Sequence, residues 1–168
     1  MNPSIDPTLD RMLRHMAWAN NQILGKLIDL PSGSMDLAAP ESDWTIGAIL
    51  EHYIRSAGFY AFRLGAQIPE FKLSQPSDPS DLVAYRALCE IYDALLRTQA
   101  SLPEASTTFV REGRKITRAR STILGQSIHH ATEHRAQIGD ILVIHGIKKV
   151  VLDDLDVWAL GDAEGLGE

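Results

Sequence analysis

Apolar residues recur at three- and four-residue spacing along four separate stretches of this chain, each about 20 residues long. A period near 3.6 residues marks an amphipathic helix with one face turned to a core. Leu9, Met12, Leu13, Met16, Ile23, Leu24 and Leu27 form the first stripe, over about residues 8–30. Asp6 and Pro7 precede it as an N-cap and a proline at the first helical position. Ile46, Leu50, Tyr53, Ala57, Tyr60 and Leu64 form the second stripe, with Ser42 or Asp43 as its expected cap. Asp78 and Pro79 repeat the cap-and-proline signal for the third, which carries Leu82, Tyr85, Leu88, Cys89, Tyr92, Leu95 and Leu96 and stops before Pro103. The fourth covers about residues 119–145 and ends at Gly146, a residue suited to a helix C-terminus.

Only residues 107–118, TTFVREGRKITR, have strand character, with β-branched residues on either side of Glu112 and Gly113. A short extended excursion or hairpin is therefore expected before the last long helix. The tail is expected to add one short turn around Leu155–Leu160 and then fray. The pattern predicts an all-α four-helix bundle with that excursion, folded as a single domain over residues 1–168.

Charge and composition narrow the function. With 22 acidic and 16 basic side chains the formal net charge is -6, which disfavours a nucleic-acid partner held through its phosphates. No apolar run reaches the roughly 18 to 20 residues that span a bilayer, and the N-terminus lacks the basic and apolar regions of a secretory signal. The single cysteine, Cys89, permits no internal disulfide and fits a reducing compartment. A cytoplasmic chain with no membrane partner is expected.

The chemistry concentrates in SIHHATEHRAQIGDIL, residues 127–142. Ile123, Leu124, Ala131, Ile138, Ile141 and Leu142 set the apolar stripe of this helix. His134 falls inside the stripe, His130 lies toward one edge with Gln137 beyond it, Arg135 lies toward the other edge, and His129 points away. His130 and His134, one turn apart, can converge on a single point. Neutral imidazole is a ligand for zinc, nickel, copper or iron, yet packed structural histidines produce the same spacing, and both readings stand for the pair alone.

A third imidazole would favour a metal. His52 is the candidate, on the flank of the second stripe beside Ile49, Ser56 and Phe59. Taken alone it reads as a boundary residue bonded to a backbone carbonyl. Taken with the pair it completes a facial triad that leaves positions open for water or substrate.

Asn20, which interrupts the first stripe, and Gln137 each have two readings: orienting a ligand histidine from behind, or bridging to a buried water. Arg135 reads as a salt-bridge partner within the bundle or at a subunit contact. His145 reads as a cation at a helix C-terminus, and His15 as a surface or interface residue. Glu51 and Glu133 are only weak candidates for a general base, so no catalytic side chain is assigned. The chain has no glycine-rich phosphate loop, no G-x-S-x-G turn and no Glu-x-x-His pair of the di-iron kind.

A histidine early in the second helix, followed late in the chain by H-x-x-x-H-R-x-Q, resembles the DinB/YfiT-like family of metal-binding four-helix bundles. WANNQILGKLIDL is similar to that family's first helix, WTIGAILEHYIRSAGFYAFRL to its second and HHATEHRAQIGDIL to its fourth. The resemblance covers nearly the whole chain. It implies His52, His130 and His134 as ligands of one divalent metal ion, often zinc or nickel. Arg135 and Gln137 match the H-R-x-Q signature, with Ala136 where glycine is frequent.

The resemblance also implies a homodimer. For some relatives it implies a transferase or isomerase that uses low-molecular-weight thiols such as bacillithiol or mycothiol. Coordination of a thiol lowers its pKa and yields a nucleophile without a separate base, whereas activated water would make the chain a hydrolase. The thin supply of general bases favours the thiol. The alternative is a non-catalytic bundle whose metal or cavity binds a small ligand or stabilises a dimer.

Overall fold

A computed structural model describes residues 5–166. The first helix, α1, runs Pro7–Ile28, and Asp6 caps it by accepting from the backbone N–H of Thr8 and Leu9 at 2.9 and 3.0 Å. The second, α2, runs Ile46–Arg63. Its cap is Thr45, whose hydroxyl accepts from Ala48 N–H at 3.1 Å, rather than Ser42 or Asp43. Long-range pairing explains the later start. Ala38 and Thr45 form an isolated β-bridge and Ile46 N–H donates to Leu37 O at 2.8 Å, so the chain stays extended through Thr45. Ser42 accepts instead from Trp44 N–H within the preceding turn.

Asp78 caps a 3-10 turn, Pro79–Asp81, and Asp81 returns the bond to the Asp78 N–H at 3.1 Å. The third helix, α3, follows directly as Leu82–Ala100. Strands β1 (Ser106–Arg111) and β2 (Arg114–Ala119) pair antiparallel with Phe109 opposite Ile116. Glu112 and Gly113 join them, both at positive φ (52° and 75°), as a two-residue hairpin turn demands. The last long helix, α4, is Arg120–Ile144, and Gly146 leaves it at φ 75°.

The four long helices pack around one core, α1 against α3 and α4, α2 against the same two. Leu13, Met16, Ile23, Leu24, Leu50, Ile54, Tyr85, Leu96, Ile138 and Leu142 are buried there. Among the described residues the chain is mostly helical, and the excursion expected before the last long helix is a two-stranded antiparallel hairpin. The chain also carries a fifth helix, α5 (Val157–Ala163), preceded by a 3-10 turn at Leu152–Leu155.

This tail does not fray over the described residues. Leu155 and Leu160 are buried, and Glu164 accepts from both Arg11 and Arg14 of α1. The tail also covers His15, which is 6% exposed and donates from Nε2 to Leu155 O at 2.7 Å. His15 is thus a core residue, not the surface residue its isolation in sequence suggests. Among the described residues no helix is long and apolar enough to cross a membrane.

Candidate metal centre

Packing of α2 against α4 brings His52 to the i, i+4 pair 78 residues away. The ligand atoms of His52, His130 and His134 all lie within 4.8 Å of one another. His130 Nε2 stands 3.1 Å from His52 Nε2 and 3.2 Å from His134 Nε2. A tetrahedral ion with bonds of about 2.1 Å separates its ligand nitrogens by roughly 3.4 Å, and an octahedral one by roughly 3.0 Å. Both separations therefore fit an ion of either geometry.

The protonation chemistry fits as well. His134 Nδ1–H donates to Gln137 Oε1 at 2.7 Å, which leaves the His134 Nε2 lone pair facing its neighbours. His130 Nε2 carries either one proton or one in-plane lone pair, so it can form a hydrogen bond with only one of its two close neighbours and the other contact stays unmatched. A cation resolves that conflict.

The imidazoles are held neutral. Burial lowers His130 to about 4, and the charges that His134 and His52 would carry push the same way. His52 is lowered by burial and then by His134. His134 is lowered by burial despite its bond to Gln137. Neutral imidazole is the form that binds metal.

Aromatic rings fix the ligand planes. Trp44 meets His52 edge-on at 5.1 Å and stacks on His134 at 6.0 Å, and Tyr53 also stacks on His134, at 6.2 Å. Tyr60 meets His130 edge-on at 5.7 Å. Trp44 was not among the sequence candidates. Its only signal was a large aromatic placed one residue before the helix cap.

Asn20 does not bond a histidine. Its amide donates to Asp93 Oδ2 at 3.0 Å, and its carbonyl accepts from Arg135 at 2.6 Å. Arg135 is 4% exposed, buried rather than set at an edge, and its other donor goes to Thr132 Oγ1 at 3.1 Å. It therefore joins a buried polar network through a neutral amide, where a direct salt bridge had been expected. Asp93, which sequence reasoning missed because it occupies an apolar stripe, is pushed up to about 6 by burial, with Asn20, Cys89 and Arg135 pulling it down.

Cys89 is buried, and burial and then Asp93 raise it well above an ordinary thiol, so it is an inert packing residue. His129 is exposed. His145 donates to Ala38 O at 2.9 Å and so ties the end of α4 to the loop before α2, in place of acting only as a helix-end cation. Glu51 is engaged by Arg55, and Glu133 is exposed.

Gln137 offers a test that leaves the fold alone, since it is exposed on α4. Gln137→Leu frees His134 to rotate and change tautomer, and an outer hydrogen bond of this kind is worth about 10- to 100-fold in metal affinity. Competition with a chromophoric chelator is expected to show that loss, with an unchanged helical circular-dichroism spectrum.

A sequence model of the DinB family matches residues 1–159 of the chain. No curated protein and no solved structure matches it significantly. The match runs through α1, the hairpin, both histidine-bearing helices and part of the tail, and on that extent the chain belongs to the DinB family.

Proposed function

We propose that His52, His130 and His134 hold one divalent metal ion, zinc or nickel, in a centre that acts on a small molecule. The favoured reaction is transfer or isomerisation at a low-molecular-weight thiol, with hydrolysis second. The observation that carries this reading is the convergence of three neutral imidazole nitrogens within 4.8 Å. A divalent ion there would supply Lewis acidity, lowering the pKa of a thiol or water brought to it.

The chain's own residues do the rest. Gln137 sets the His134 tautomer, and Trp44, Tyr53 and Tyr60 hold the ring planes. Among the described residues no carboxylate bonds the three imidazoles, and Glu51 is held by Arg55. A thiol needs no base once its pKa falls, while water attack gains from one. This favours the thiol.

The test compares metal-loaded and metal-free protein on a panel of electrophiles with added thiols and on a panel of esters. Thiol-dependent products that vanish with the metal support the first reaction. Metal-dependent ester cleavage alone supports the second. Neither activity would leave a non-catalytic ligand-binding protein.

Acid should destabilise the metal-free fold. All three histidines titrate lower in the folded chain than their ordinary 6.5. Between 6.5 and about 4, the unfolded chain therefore binds more protons, and stability falls as pH drops through that window. Asp93 acts oppositely, gaining stability as pH falls from about 6 toward 3.8, but it is one group against three. Urea midpoints of metal-free protein are expected to decline from pH 7 to pH 5. The triple variant His52→Ala/His130→Ala/His134→Ala should flatten that decline.

A further inference from the structure

The hairpin builds a second site beside the centre. Residues paired across β1 and β2 share a face, and side chains alternate along each strand. The register therefore places Phe109, Arg111, Ile116 and Arg118 together on one face. That face looks toward Tyr60 and Arg63 of α2 and Ile123 and Gln126 of α4, enclosing a cavity of about 330 Å³. Three guanidinium groups thus line one small concavity.

Little among the described residues offsets them. Arg63 lies over the Phe109 ring at 4.3 Å, Arg118 donates to the Thr117 carbonyl, and neither has a carboxylate within 4 Å. Arg111 has only Glu112, at 3.6 Å, which also faces Arg114. In a chain of net charge -6, such a cluster of unbalanced cations calls for an external anion. Arginine suits it, because its planar fork matches the two oxygens of a carboxylate or phosphate.

Tyr60 joins the two sites. It lines this cavity and also meets His130 edge-on at 5.7 Å. Phe109, Ile116 and Ile123 give the cavity an apolar wall. Its volume falls in the range of small-molecule sites, and a net charge of -6 disfavours a nucleic acid as the ligand. The geometry points to a pocket that binds the carboxylate- or phosphate-bearing end of the small molecule whose reactive end meets the histidine centre. This rests on the metal-centre reading for the second half of the statement only.

Two measurements test it. The first titrates metal-free protein with inorganic phosphate and with succinate, following the side-chain N–H signals of isotope-labelled arginine. Saturable shifts at Arg63, Arg111 and Arg118 are expected, and the two anions separate a phosphate-bearing from a carboxylate-bearing ligand. The double variant Arg111→Gln/Arg118→Gln changes exposed side chains only and should weaken binding about tenfold. Shifts that never saturate, or that spread evenly over all arginines, would overturn the pocket. Tighter binding of a duplex oligonucleotide than of either anion would overturn the small-molecule assignment.

The second measurement titrates cobalt-loaded protein with reduced glutathione and with its diethyl ester, reading the thiolate-to-cobalt absorption band. The free acid is expected to bind about tenfold tighter than the ester, with the gap closed in the double variant. Equal affinity for acid and ester would break the link between pocket and centre. If neither thiol raises the band, the metal-centre reading fails, and the phosphate and succinate titration still decides the pocket.

Discussion

Replacing any one of His52, His130 or His134 by alanine is expected to lower zinc or nickel affinity by about 60- to 700-fold. Closed four-ligand zinc sites bind with about 10–16 kcal/mol, or about 2.5–4 kcal/mol per ligand. At about 1.4 kcal/mol per decade, that share corresponds to the stated loss. The three variants should differ in stability. His52 is exposed, so His52→Ala removes a ligand and little else. His134 is 6% exposed and stacks on both Trp44 and Tyr53, so His134→Ala also opens a gap in the packing. His129→Ala is the matched control, because that imidazole sits one residue away on the exposed side of α4. Chelator competition and elemental analysis read the metal, and circular dichroism reads the fold. Full metal content in any of the three single variants would sink the centre.

The parts of this molecule legible in sequence are those fixed by local chemistry. Asp6, Asp78 and Gly146 act where their types predict, since a cap needs only its own next few residues. The inward turn of His130 and His134 follows from 100° steps along α4. His52 could be nominated from its place on a helix flank, but the meeting of α2 with α4 is a tertiary event. Thr45 was hidden as a cap because the bridge to Ala38 that delays α2 spans residues outside the helix.

His15 and Arg135 were misplaced for a related reason. Periodicity reports the face a helix turns to its own core. It cannot report that the tail returns over α1 to bury His15, or that Asn20 and Asp93 arrive from two other helices to receive Arg135. Tyr53 and Tyr60 were read as core residues, and Tyr53 is one. Their ring contacts with His134 and His130 depend on side-chain rotamers that spacing does not encode. The hairpin was visible as strand-like composition, yet its clustered arginines gained meaning only once the register put alternate residues on one face.

The buried network carries the largest expected effect on stability. Arg135→Ala is expected to destabilise the protein by about 3–5 kcal/mol, the usual result of stripping one partner from a buried charged group. For a chain of this size that lowers Tm by roughly 2–4 °C per kcal/mol, or roughly 6–20 °C. The loss falls on two neighbours. Asn20 Oδ1 and Thr132 Oγ1 give up the bonds they accept at 2.6 and 3.1 Å. Asp93, 4% exposed, loses the positive charge that opposes its burial.

The sign of the pH dependence follows from Asp93. Its folded value of about 6 already exceeds the ordinary 3.8, so ionising it is unfavourable above pH 6 and is relieved below. Without Arg135 that value climbs further, and the deficit of Arg135→Ala should be larger at pH 8 than at pH 5. Adding Asp93→Asn to Arg135→Ala should recover part of the loss at pH 8, because the amide carries no charge to bury and still accepts from Asn20. Urea denaturation of the four proteins at both pH values closes the cycle. A deficit below about 1 kcal/mol at pH 8 would show that the network contributes little. An Arg135→Ala protein of full stability that no longer retains metal would instead place the arginine in the chemistry of the centre.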